Sequence, residues 1–116
     1  MFTSQLKDRV VWLTVTGEFL ADDLMGQVSK WLPRLNEFDG FITDMRQTEG
    51  SPSPAEQKKA EEWRKKNNTG KPNAILGKDN GMSMLVKIYV RFTGAKNARY
   101  FTDETEAINW IRSFKN

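Results

Sequence analysis

Apolar and polar positions alternate along the chain in a way that divides it into short extended runs and amphipathic helices. The stretch VVWLTVTG over 10–17 is β-branched and aromatic and ends at a glycine, the composition of a strand buried on both faces. Ahead of it, MFTSQL pairs back through the polar turn Lys7-Asp8-Arg9, so the chain opens with a hairpin. Asp22 or Asp23 then suits the cap of a helix in which Leu24, Val28, Trp31, Leu32 and Leu35 share one stripe. Pro33 disturbs that helix near its end, because it has no amide proton and its ring crowds the preceding turn.

The run FDGFITDM over 38–45 carries a second core strand, with Phe41 and Ile42 apolar and Asp44 near its C-terminal end. RQTEGSPSP follows, and its glycine, prolines and serines mark an exposed loop. The loop leads into a helix from Pro54 to about Lys66, in which Ser53 suits the N-cap, Pro54 the first helical position and Glu56 the third, completing a capping box. That helix is mostly polar and is expected on the surface, anchored by Ala55, Ala60 and Trp63. NAILG over 73–77 is a third short strand. Over 82–92 two periods compete: Val86, Ile88, Val90 and Phe92 alternate as in a strand, while Met82, Leu85, Val86 and Tyr89 recur at helical spacing. Finally Arg99, Tyr100 and Phe101 form a last strand, and Thr102 or Asp103 caps a helix at once. Glu104 and Glu106 suit its positive end, and Ala107, Ile108, Ile111 and Phe114 make its buried stripe, flanked by Trp110. Strands alternating with helices imply an α/β arrangement with parallel pairings beyond the first hairpin.

Composition narrows the chemistry. A chain of 116 residues with 38% apolar and 28% charged residues suits one soluble domain over 1–116, with no apolar run long enough to span a bilayer and no N-terminal targeting pattern, so a cytoplasmic location is expected. It has no cysteine and no histidine, which removes thiolate chemistry, sulfur-based metal sites and every imidazole base. The net charge of +3 comes from 18 basic and 15 acidic side chains that are largely interspersed. The densest group, KKAEEWRKK over 58–66, mixes signs as a solvated helix face does, so no nucleic-acid partner is expected. Asp44 stands where open α/β sheets place ligands, or else it pairs with Arg46. GKDNGMS over 77–83, with Lys78 and Ser83, has the small and polar residues of an anion loop but lacks P-loop spacing; a plain loop with Asn80 or Ser83 as cap is the simpler reading. An enzyme using Asp44 with Mg²⁺ and Lys78 or Ser83 is a third-ranked alternative. No cofactor and no resident metal are expected.

The order of strand, helix, strand ending in Asp44, Ser/Pro-rich loop with helix, AIL strand, Met/Ser-rich segment and the terminal YFTDETEAINWI resembles the STAS or SpoIIAA-like family, in particular its small stand-alone bacterial members. The resemblance covers most of the chain and is best in FTDETEAINWI, which specifies a strand and helix and carries no chemistry. It implies a SpoIIAA-like α/β sandwich, a four- to five-stranded mixed sheet with about four helices. It also implies a helix over 82–92, against the two-residue period there. Antagonists of the family switch partners through a phosphorylated serine or threonine in an Asp-Ser-Ser-Gly-like motif. The matching region here is TDMRQTEGSPSPAE, where that motif is absent and Ser51 and Ser53 precede the helix. Ser53 reads first as an N-cap, because phosphate would replace that cap.

The resemblance therefore implies a non-enzymatic regulatory module that binds another protein through residues 44–56 and 77–91, with Asp44, Ser51 and Ser53 as partner-binding or regulatory candidates. The alternative is a carrier of a small amphipathic or lipidic ligand, as in the related CRAL-TRIO fold. Its candidate residues are Lys78, Ser83, Met84, Lys87 and Arg91, in a pocket between the Met/Tyr segment and the sheet. Trp31 and Trp63 read as core edges or as anchors of a homodimer.

Overall fold

The computed structural model describes residues 1–49, 52–78 and 97–114. Among these residues five strands form one mixed sheet in chain order: β1 (Phe2–Lys7), β2 (Val10–Gly17), β3 (Gly40–Thr48), β4 (Asn73–Leu76) and β5 (Ala98–Phe101). β1 and β2 are antiparallel, and every later neighbour is parallel. The α/β mixed sheet read from the sequence is the observed architecture.

The opening hairpin turns on Asp8 and Arg9 alone, both in the left-handed region with φ of 52° and 63°. Two such residues give a turn whose twist matches that of the strands it joins. Arg9 is held there by its surroundings: its carbonyl accepts from the Asp39 amide at 2.7 Å, and its guanidinium donates to Asp39 Oδ1 at 3.1 Å.

Helix α1 (Ala21–Ser29) joins β2 to β3, and α2 (Pro54–Lys66) lies between β3 and β4. The strand order advances steadily, so right-handed crossovers put both helices on one face. That face buries Val11, Leu13, Phe38, Phe41 and Ile75 with Leu24, Trp31 and Ala60. The terminal helix α3 (Glu104–Ser113) covers the other face, where Trp12, Ile42 and Leu76 meet Ala107 and Ile111. β3 supplies Phe41 to one core and Ile42 to the other, as the two-residue period of a strand requires.

Three local expectations are corrected. The first helix stops at Ser29, and Leu32–Glu37 forms a 3-10 segment with Pro33 in its first turn. The missing amide and restricted residue before proline break the helix sooner than the apolar stripe suggests. That helix is not capped by Asp22 or Asp23: Leu20 is its N-cap, and the Ala21 amide donates to Glu56 Oε1 at 2.7 Å. In α2, Ala55 is exposed while Glu61 is buried. The helix assigned to 82–92 lies outside the described residues.

Gly40 starts β3 under α3. A Cβ there would lie 2.7 Å from Ile111 Cγ2 and 2.8 Å from the Pro72 carbonyl oxygen. The substitution Gly40→Ala is expected to lose about 1–3 kcal/mol of stability through overpacking. Urea unfolding reads this as a lower midpoint at an unchanged slope; a wild-type midpoint would contradict the tight approach.

Candidate functional site

At the carboxyl edge of the parallel strands β3 outruns its neighbour. Asp44 pairs with Leu76, the last residue of β4, while on the other side Thr14 faces Asp44 and Thr16 faces Gln47. β3 thus carries one extra residue between Asp44 and Gln47, a β-bulge that disturbs the ladder. Asp44 occupies this break. Its Oδ1 accepts from the Arg46 amide at 3.1 Å and from Arg46 Nε at 3.0 Å, and its Oδ2 accepts from the other arm of the guanidinium at 2.8 Å. A side chain thereby satisfies the backbone where the register shifts. The remaining guanidinium arm reaches Glu104 Oε2, 3.5 Å away in the first turn of α3.

The Asp44 side chain is only 8% exposed, against 40% for Arg46. Burial pushes the Asp44 carboxyl up, but the hydrogen bonds from the Arg46 side chain and amide, with its positive charge, outweigh burial and hold the group below its ordinary value. The hydrogen bonds to Asp44 correspondingly raise Arg46, even though burial opposes them. Oδ1 thus accepts two hydrogen bonds and Oδ2 one, so Arg46 engages both oxygens of the carboxylate.

The starts of α1 and α2 meet at the same edge. Ser53 Oγ accepts from the Glu56 amide at 3.2 Å, the first half of a capping box. The Glu56 carboxylate does not close that box; it crosses to the Ala21 amide and ties the two helix starts together. Lys59 and Asp22 add a second link at 2.8 Å. Leu20 stands beside this junction at 40% exposure, and Ser53 is exposed. Past β4, Gly77 leaves room for the Tyr100 hydroxyl, which a Cβ would overlap, and exposed Lys78 follows.

Because each parallel strand feeds its helix at this edge, the helix starts gather here and the charges sort along the strand axis. Asp22 and Asp23 open α1, Glu56 opens α2, and Glu104 and Glu106 open α3. At the far end Arg64, Lys65 and Lys66 close α2 and Arg112 closes α3. Each group complements the dipole of its helix. Among the described residues the first turns of all three helices are acidic, and the last turns of α2 and α3 are basic.

The structure therefore brings Asp44, Ser53 and Lys78 to one edge. Ser51, Ser83, Met84, Lys87 and Arg91 lie outside the described residues. Trp31 is buried, and its Nε1 donates to Ser4 Oγ at 3.1 Å, the role of a core residue. Sequence reading missed Leu20, the crossing of Glu56 and the reach of Arg46 to Glu104. Only the capping-box spacing of Glu56 gave a signal, and it pointed to the wrong amide.

No family model matches the chain, and no curated protein matches it. Solved structures do. An uncharacterised protein of the DUF3478 family with a SpoIIAA-like fold, from Shewanella loihica PV-4, superposes with a TM-score of 0.68 at 13% identity, covering 96% of this chain and 92% of that one. The anti-sigma factor antagonist SpoIIAA in its unphosphorylated form gives 0.64 at 12% identity, covering 98% of this chain and all of that one. The chain has the SpoIIAA-like, or STAS-like, fold that its sequence resembles.

Removing the Arg46 guanidinium leaves the buried Asp44 carboxylate with only the backbone amide of its clamp. Arg46→Met is expected to cost about 2 kcal/mol, above the value of a surface pair and below that of a fully buried one. Adding Asp44→Asn to Arg46→Met should restore part of the loss, because a neutral amide carries no stranded charge. Chemical unfolding of the single and double variants measures this; an unaffected Arg46→Met protein would contradict the clamp.

Proposed function

We propose that the chain is a cytoplasmic, non-enzymatic module of the STAS type that binds another protein through the carboxyl edge of its sheet, over 44–49, 52–56 and Lys78. The observation that carries this reading is the 2.7 Å bond from the Ala21 amide to Glu56. It fixes the starts of two helices as one surface and presents Leu20 and Ser53 from it. A rigid edge with an exposed leucine and surrounding carboxylates suits a partner with a basic, partly apolar face.

The engagement of Asp44 by Arg46 supports binding over catalysis. The carboxylate accepts three hydrogen bonds from Arg46, which hold it charged and in place at the strand end. Asp44 shapes the partner surface from beneath, and Ser53 shapes it as the cap of α2. The fold neighbour that is an anti-sigma factor antagonist makes a protein the natural class of ligand. In this reading Ser53 is a cap first. A phosphate on it would gain from the helix dipole but would displace the cap and face the Glu56 carboxylate.

Leu20→Asp and Glu49→Lys change exposed residues of this edge without touching either core. Affinity capture from native lysate is expected to retain a protein on the wild type, with salt-sensitive binding that either variant weakens at least tenfold, about 1.4 kcal/mol. The same proteins retained equally by wild type and both variants would count against the edge as the binding surface.

A further inference from the structure

The opposite end of the sheet holds a different feature. Between α1, α2 and the amino ends of β3 and β4 lies a cleft of about 50 Å³. Leu24, Val28, Phe41 and Trp63 give it an apolar lining, and Arg64 and Lys71 are its cations. A volume of this size takes about four water-sized groups, which suits a short aliphatic chain and is too small for a lipid.

Among the described residues the two cations have no carboxylate partner; the described salt bridges use other side chains. Lys71 Nζ sits 5.7 Å from the Phe38 ring centre, a contact that orients the amine without neutralising it. At the end of α2 the Asn67 backbone amide and Nδ2 each donate to the Trp63 carbonyl at 3.0 Å, and the amide also reaches the Arg64 carbonyl at 3.2 Å. Lys65 and Lys66 follow Arg64 in the last turn of α2.

We propose that this cleft binds a short-chain monocarboxylate, with the aliphatic tail against Trp63 and Phe41 and the carboxylate between Arg64 and Lys71. Charge sets the headgroup and the small apolar volume sets the tail. The site is separate from the carboxyl edge, and its occupancy does not depend on any partner protein there.

The test is titration of the ¹⁵N-labelled protein with valerate and, in parallel, with its neutral amide, valeramide. Valerate is expected to shift the Trp63 indole and Asn67 side-chain signals saturably, with valeramide at least tenfold weaker. Arg64→Gln and Lys71→Gln should each weaken valerate binding about tenfold, the loss of one charge-assisted contact. Both variants keep a polar side chain at a half-buried position, and an unchanged spectrum away from the cleft verifies their folding. No saturable shift with valerate, equal binding of acid and amide, or wild-type affinity in both variants would each overturn the proposal.

Discussion

The pairing of Arg46 with Asp44 is the interaction on which the carboxyl edge depends. β3 runs through the middle of the sheet with apolar layers on both faces, and a carboxylate at such a position is stable only where donors replace the water it has lost. Arg46 supplies three such donors within two residues. The bulge is what makes the arrangement necessary, since the extra residue leaves the ladder irregular between Thr14 and Thr16. The same guanidinium reaches Glu104, so the end of the central strand and the start of the last helix are coupled by one side chain.

The helix starts are organised from this edge outward. Glu56 joins α2 to α1, Arg46 joins β3 to α3, and the acidic first turns collect together while the basic last turns collect at the far end. This polarity follows from a parallel sheet in which β2, β3 and β5 each run into a helix at the same edge.

Much of the architecture was legible because it is local. The turn at Asp8 and Arg9, the Ser53 cap and the Asp103 cap each act within a few residues, and the apolar stripe of α3 is clear at Ala107 and Ile111. What escaped the sequence depends on distant partners. Glu56 has a capping box within reach, yet the Ala21 amide, thirty-five positions away in the chain, takes its carboxylate. The interspersed charges of KKAEEWRKK read as a solvated face, and only the parallel topology shows that Arg64 belongs with Lys71 at a cleft while Lys59 belongs with Asp22. The bulge has no sequence signal of the usual kind, because no glycine marks it.

A site-resolved titration of the Asp44 carboxyl carbon by NMR tests the account most directly. A group held charged by Arg46 titrates below the ordinary aspartate value of about 3.9. Its stabilising effect is then present above that value and is lost as the pH falls through the folded-state pKa. The account predicts an Asp44 midpoint below the ordinary value that moves upward when Arg46 is replaced by methionine. A midpoint at or above the ordinary value in the wild type would contradict it and would return Asp44 to the chemistry of a free acid.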